Sequence, residues 1–151
     1  MTLLSSEKPM RPAIPDPLDL PLYAETLPCA AESAADARRL VRKALDAWGL
    51  QVLEPSASLV VSELVGNSVE HYGRDLIRVK AVRLDEDRVQ VAVIDRSPQG
   101  PTVPKQAELL DESGRGLFLV DALAADWGTD RMRWGKRVWA NLTTDIEETD
   151  Q

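Results

Sequence analysis

The feature that most constrains the fold is a pair of alternating runs, Leu76–Leu84 and Arg88–Asp95, separated by the acidic turn Asp85-Glu86-Asp87. Period-two alternation on both sides of a short polar turn predicts an antiparallel hairpin. In the second run Val89, Val91, Val93 and Asp95 fall on one face. A half-buried sheet needs something to cover its apolar face, and the chain before the hairpin supplies two helices. The first opens at Ser33, has Asp36 three residues on, carries Ala37, Leu40, Val41, Ala44, Leu45 and Trp48 at helical spacing, and stops at Gly49. The second begins at Pro55, whose fixed φ suits a first turn, and runs to about His71 with Gly73 as its stop and Ala57, Val60, Val61, Leu64 and Ser68 as its core stripe.

Beyond the hairpin, Pro98, Gly100, Pro101 and Pro104 take the chain away from the sheet. A short helix is expected over 105–110, then an apolar helix opening after Gly114-Arg115-Gly116, then two strands near 126–130 and 137–142. Helices and antiparallel strands in this proportion predict an α+β fold: a two-layer sandwich of a mixed, largely antiparallel sheet with helices on one face. The boundaries expected are a Pro-rich flexible leader at 1–20, one domain at 21–143 and an acidic tail at 144–151. The leader assignment follows from Pro9, Pro12, Pro15, Pro17, Pro21 and Pro28, which forbid a regular helix and supply few donors for a sheet.

Composition removes several classes of function. One Cys and one His cannot build a disulfide framework or a structural zinc site, which needs about four such ligands. The apolar runs fall far short of the roughly 20 residues that span a bilayer, and nothing at the N-terminus resembles a signal peptide, so a cytoplasmic location with no membrane association is expected. A net charge of −7, from 18 Lys and Arg against 25 Asp and Glu, argues against direct nucleic-acid binding despite the arginines around 131–137.

Three groups of residues carry chemistry. Glu63, Asn67 and His71 are spaced i, i+4, i+8 along one stripe of the second helix. A carboxylate there can act as a base and an amide oxygen can hold Mg²⁺ beside phosphates, although a plain solvated helix edge gives the same pattern. Asp95 aims a carboxylate toward the core and needs a partner, either an exocyclic amine of a ligand or a backbone turn just after the strand. Gly114-Arg115-Gly116 at a helix start suits a phosphate, or simply a tight turn. The chain has no Walker A loop, since Gly135-Lys136 is followed by Arg137 and Asp130 stands where the first glycine belongs.

Taken in order, these segments resemble the GHKL ATP-binding superfamily. Ser62-Glu63-Leu64-Val65-Gly66-Asn67-Ser68-Val69-Glu70-His71 is similar to its N-box, Val93-Ile94-Asp95-Arg96-Ser97-Pro98 to its adenine box, and Ser113-Gly114-Arg115-Gly116-Leu117-Phe118-Leu119-Val120 to its glycine-rich phosphate box. Ala125-Asp126-Trp127-Gly128 and Gly135-Lys136-Arg137-Val138-Trp139 resemble the closing strands of the anti-sigma-factor serine/threonine kinase branch, in particular its short actinobacterial members. The likeness runs from about 22 to 142. It implies ATP and Mg²⁺ as cofactors, Glu63 as general base, Asn67 as metal ligand and nucleotide contact, Asp95 as acceptor from the adenine amine, and Gly114, Arg115 and Gly116 as contacts to the phosphates. His71 receives no catalytic role.

The function so implied is that of an ATP-binding regulatory protein and anti-sigma-type protein kinase. Its partners would be a sigma factor or a STAS-type antagonist that it phosphorylates, and it could form a homodimer. The alternative is a catalytically weak or inactive partner-switching module. One departure bears on that choice: the superfamily has glycine two residues after the adenine-box Asp, where this chain has Ser97-Pro98 and reaches a glycine only at Gly100. A histidine autokinase is disfavoured, because the single His lies inside the N-box and no pair of dimerisation helices precedes the domain.

Overall fold

A computed structural model of the chain describes residues 20–98 and 115–144, with backbone only at 115 and 116. Five strands and three α-helices are formed: β1 (Leu22–Pro28), α1 (Ser33–Trp48), α2 (Glu54–His71), β2 (Leu76–Asp85), β3 (Arg88–Asp95), α3 (Arg115–Leu123), β4 (Asp126–Met132) and β5 (Gly135–Thr143). One turn of 3-10 helix, Gln51–Leu53, links α1 to α2. The expected leader, apart from Leu20, the expected helix over 105–110, Gly114 and nearly all of the expected tail lie outside the described residues.

The strands form one antiparallel sheet in the order β1-β2-β3-β5-β4. All three helices lie on one face, as the two-layer reading anticipates: α1 covers β1 and β2, α2 covers β3 and β5, and α3 packs against α2 and β4. Placing β3 at the centre explains its sequence. Val89, Val91, Val93 and Asp95 are each no more than 1% exposed, and the valines join the Val60, Val61, Leu64 and Val65 side of α2 in one continuous core.

Local details follow from residue chemistry. Gly49 ends α1 in the left-handed conformation at φ 70°, with its N–H on the carbonyls of Leu45 and Asp46. Pro55 occupies the first turn of α2 as expected, although the helix starts one residue earlier at Glu54. Ser33 does not cap α1. It is already inside the first turn, and its hydroxyl donates to the Pro28 carbonyl at 2.7 Å, tying the helix start to the end of β1.

The proline count gives no warning of strand β1. Pro21 and Pro28 bracket it, and Pro28 is its last residue, a position a sheet edge tolerates. Between them Tyr23 and Leu27 face the helices, Tyr23 making an edge-to-face contact with Trp48 of α1 at 5.6 Å between ring centroids. No helix among the described residues is long and apolar enough to cross a membrane.

Candidate functional site

The last turn of α2, the end of β3 and the start of β5 converge on Asp95. Its carboxylate is 1% exposed, so leaving it unpaired would cost several kcal/mol. Oδ2 accepts from the Ser68 hydroxyl at 2.8 Å, and Oδ1 accepts from the Ser97 backbone N–H at 3.0 Å. The second of these is the backbone turn that the sequence offers as one way to satisfy Asp95. The ammonium of Lys136, 3% exposed, lies 3.9 Å from Oδ2. A carboxylate offers about four lone-pair sites, and the hydrogen bonds from Ser68 and Ser97 leave capacity for a further donor.

Two backbone features hold this arrangement in place. Asp95 and Lys136 are directly opposite each other in the β3–β5 ladder and share the helix-facing side. Beside them Gly135 lets the strands close: a Cβ there would lie 2.0 Å from the Asp95 carbonyl oxygen and 3.0 Å from Arg96 Cα. Only glycine fits such an approach.

Electrostatics reflect the burial. Desolvation pushes the Lys136 ammonium below its ordinary pKa, with Asp95 opposing and Arg131 adding to the shift. Cys29, just past the end of β1 and 5% exposed, feels the same centre. Burial raises its thiol above the usual value, the Gly73 backbone N–H works the other way, and the Asp95 charge raises it further. The Ser97 hydroxyl is buried with no hydrogen-bond partner among the described residues.

Of the residues the sequence singles out on α2, Asn67 is buried at 4% exposure, and Glu63 and His71 are half-buried. The stripe therefore rises from the helix edge into the core at Asn67, the residue before Ser68. Arg115 and Gly116 open α3, which packs on α2, while Gly114 lies outside the described residues. Sequence reasoning does not assign Ser68 or Lys136 to the site. Ser68 reads there as a core residue, and it is fully buried. A signal for Lys136 is present, because it alternates in phase with Val138, Ala140 and Leu142, all buried on β5.

These residues suit the base end of a nucleotide: a buried acceptor, a neighbouring cation and an orphaned hydroxyl. Among the described residues no group of three or more His, Cys, Asp or Glu side chains could hold a metal ion. A Mg²⁺ ion suits this donor set only if phosphate oxygens supply most of its ligands, with Asn67 adding an amide oxygen.

Comparison with known proteins agrees with this layout. Over 73 residues the chain is 34% identical to an uncharacterized protein, SCO4941, of Streptomyces coelicolor, an overlap of 47% of this chain and 70% of that protein. The family described as the histidine kinase-like ATPase domain matches residues 27–142, a span that includes the three α-helices, the whole Asp95 centre, β2, β3 and β4, all of β5 but its last residue, and only the last two residues of β1. The chain belongs to the histidine kinase-like ATPase domain family of the GHKL superfamily.

Proposed function

We propose that the chain binds Mg-ATP with the adenine at Asp95 and the phosphates between α2 and the Gly114–Gly116 segment, and that it acts as an anti-sigma-type serine/threonine protein kinase. The observation that carries this is the buried Asp95 carboxylate. It sits at the end of the central strand, adjacent to the α2 turn bearing Asn67, and retains acceptor capacity for an amine donor. Glu63, one turn before Asn67 and half-buried, is the base that would orient and deprotonate the attacking hydroxyl. Asn67 would hold Mg²⁺ together with the phosphates, and the metal would neutralise charge on the transferred group. The protein substrate would be a STAS-type antagonist, and the regulated partner a sigma factor.

A second reading has its own observation. Asp95 already accepts hydrogen bonds from Ser68 and Ser97 and has the Lys136 ammonium 3.9 Å away, so an adenine amine must share a crowded acceptor. That favours modest affinity, and a module that switches partners with nucleotide occupancy rather than by turnover.

Calorimetric titration with Mg-ATP, followed by incubation with radiolabelled ATP and candidate antagonists, separates the readings. Micromolar binding with labelled antagonist serine supports the kinase. Binding without label supports the switching module, and no binding at millimolar ATP overturns both.

A further inference from the structure

We infer that Lys136 reads the nucleobase together with Asp95, its ammonium donating to the ring nitrogen N1 beside the amine that Asp95 receives. The inference rests on the reading of this centre as a nucleotide site. Adenine presents a donor, the 6-amino group, next to an acceptor, N1, on one edge. Asp95 and Lys136 present the complementary pair, an acceptor next to a donor.

The geometry supports a shared edge rather than a closed ion pair. Nζ is 3.9 Å from Oδ2, beyond direct hydrogen-bond distance. A lysine serving only as counter-ion would close to about 2.8 Å. The ammonium has three donors, and the carboxylate at that distance fully engages none of them. Both side chains are almost wholly removed from water, at 4% and 0% exposure. A nucleobase hydrogen bond formed here would therefore not compete with bulk solvent.

Preorganisation comes from the backbone. Lys136 and Asp95 are cross-strand partners, and the close approach of Gly135 to the Asp95 carbonyl fixes β5 against β3 at this point. Burial of the lysine is itself unfavourable, as the downward push on its pKa shows, and a ligand acceptor at N1 would offset part of that cost. In inosine and guanine the pattern is inverted: position 6 carries an acceptor facing Asp95 and N1–H a donor facing Lys136. The pair would therefore exclude both bases.

The test uses the full chain and Mg²⁺ complexes of ATP, 1-deaza-ATP, in which N1 is replaced by C–H, and ITP. Wild-type protein should bind ATP about tenfold more tightly than 1-deaza-ATP, the worth of one hydrogen bond from a charged donor. ITP should lose at least about a hundredfold, because both buried groups are left unpaired. In Lys136→Met the preference for ATP over 1-deaza-ATP should disappear. Because the analogue comparison is made on the wild-type protein, it stands even if the variant folds poorly. Equal binding of ATP and 1-deaza-ATP by wild-type protein overturns the role of Lys136 while leaving the nucleotide site intact. Failure to bind any of the three overturns the site and this inference with it.

Discussion

Lys136 on β5 stands directly opposite Asp95 on β3, with Nζ 3.9 Å from Oδ2 and both side chains inside the protein. Two buried charges of opposite sign are each costly alone and tolerable together. Asp95→Asn should therefore cost about 3–5 kcal/mol of stability, since it strands a buried ammonium. Asp95→Asn combined with Lys136→Met should recover most of that loss. Urea unfolding of the two variants and of Lys136→Met alone closes the double-mutant cycle, and strictly additive losses would show that the two residues do not interact. The double variant is also the sounder control for nucleotide binding, because it removes the carboxylate without leaving an unpaired cation.

Two glycines should respond in opposite directions to alanine. At Gly135 a methyl group would overlap the Asp95 carbonyl oxygen, so β5 must move away from β3 at the site. Gly135→Ala should lose about 1–3 kcal/mol and weaken nucleotide binding as well. Gly66 lies within α2, exposed, with nothing among the described residues within 4 Å of a new Cβ. Gly66→Ala should gain about 0.5–1 kcal/mol, because alanine gives up less backbone entropy in a helix. Thermal melting of both variants checks the signs.

Periodicity makes some elements readable and hides others. Helices α1 and α2 and the β2–β3 hairpin lie on the core, so burial imposes its period on their sequences. Even the unusual Asp95 is visible as a charge in phase with valines. Among the described residues β1 is an edge strand paired only with β2, and Glu25 and Thr26 are exposed, so its alternation is diluted while its flanking prolines stand out. Ser68 is hidden because a small hydroxyl fits an apolar stripe without disturbing it. Lys136 carries the same phase signal as Asp95, but lysine in a strand ordinarily marks an exposed position. The hydroxyl of Ser33, where α1 is expected to open and does, goes to a tertiary contact, the Pro28 carbonyl, that local sequence does not reveal.

Cys29 should react slowly while the protein is folded. Its side chain is buried, and its pKa is held above the ordinary thiol value of 9.0, so little thiolate is present at pH 8. Alkylation by iodoacetamide should be roughly a hundredfold or more slower than in urea-unfolded protein, reporting local opening. The linkage has a definite sign. Above pH 9.0 the unfolded thiol loses its proton before the folded one, so the folded state binds more protons and stability falls through the window between 9.0 and the raised value. Cys29→Ala should remove that part of the alkaline decline, measured as the slope of unfolding free energy against pH.

Glu63 gives the sharpest separation between binding and chemistry. It is half-buried on α2, and neither hydrogen bond at the Asp95 carboxylate involves it. Glutamine has nearly the same helix propensity and shape, so Glu63→Gln should fold normally. If Glu63 is the general base, the variant should retain the wild-type affinity for Mg-ATP but lose about 10²–10⁴ in the rate of serine phosphorylation. Asn67→Ala should behave differently: removing the amide that would hold the metal should weaken Mg-ATP binding itself, with a smaller change for ATP measured in EDTA. Phosphotransfer rates and calorimetric affinities for both variants distinguish these patterns. A Glu63→Gln protein that phosphorylates at the wild-type rate would remove Glu63 from the chemistry, and one that no longer binds ATP would assign it to nucleotide binding instead.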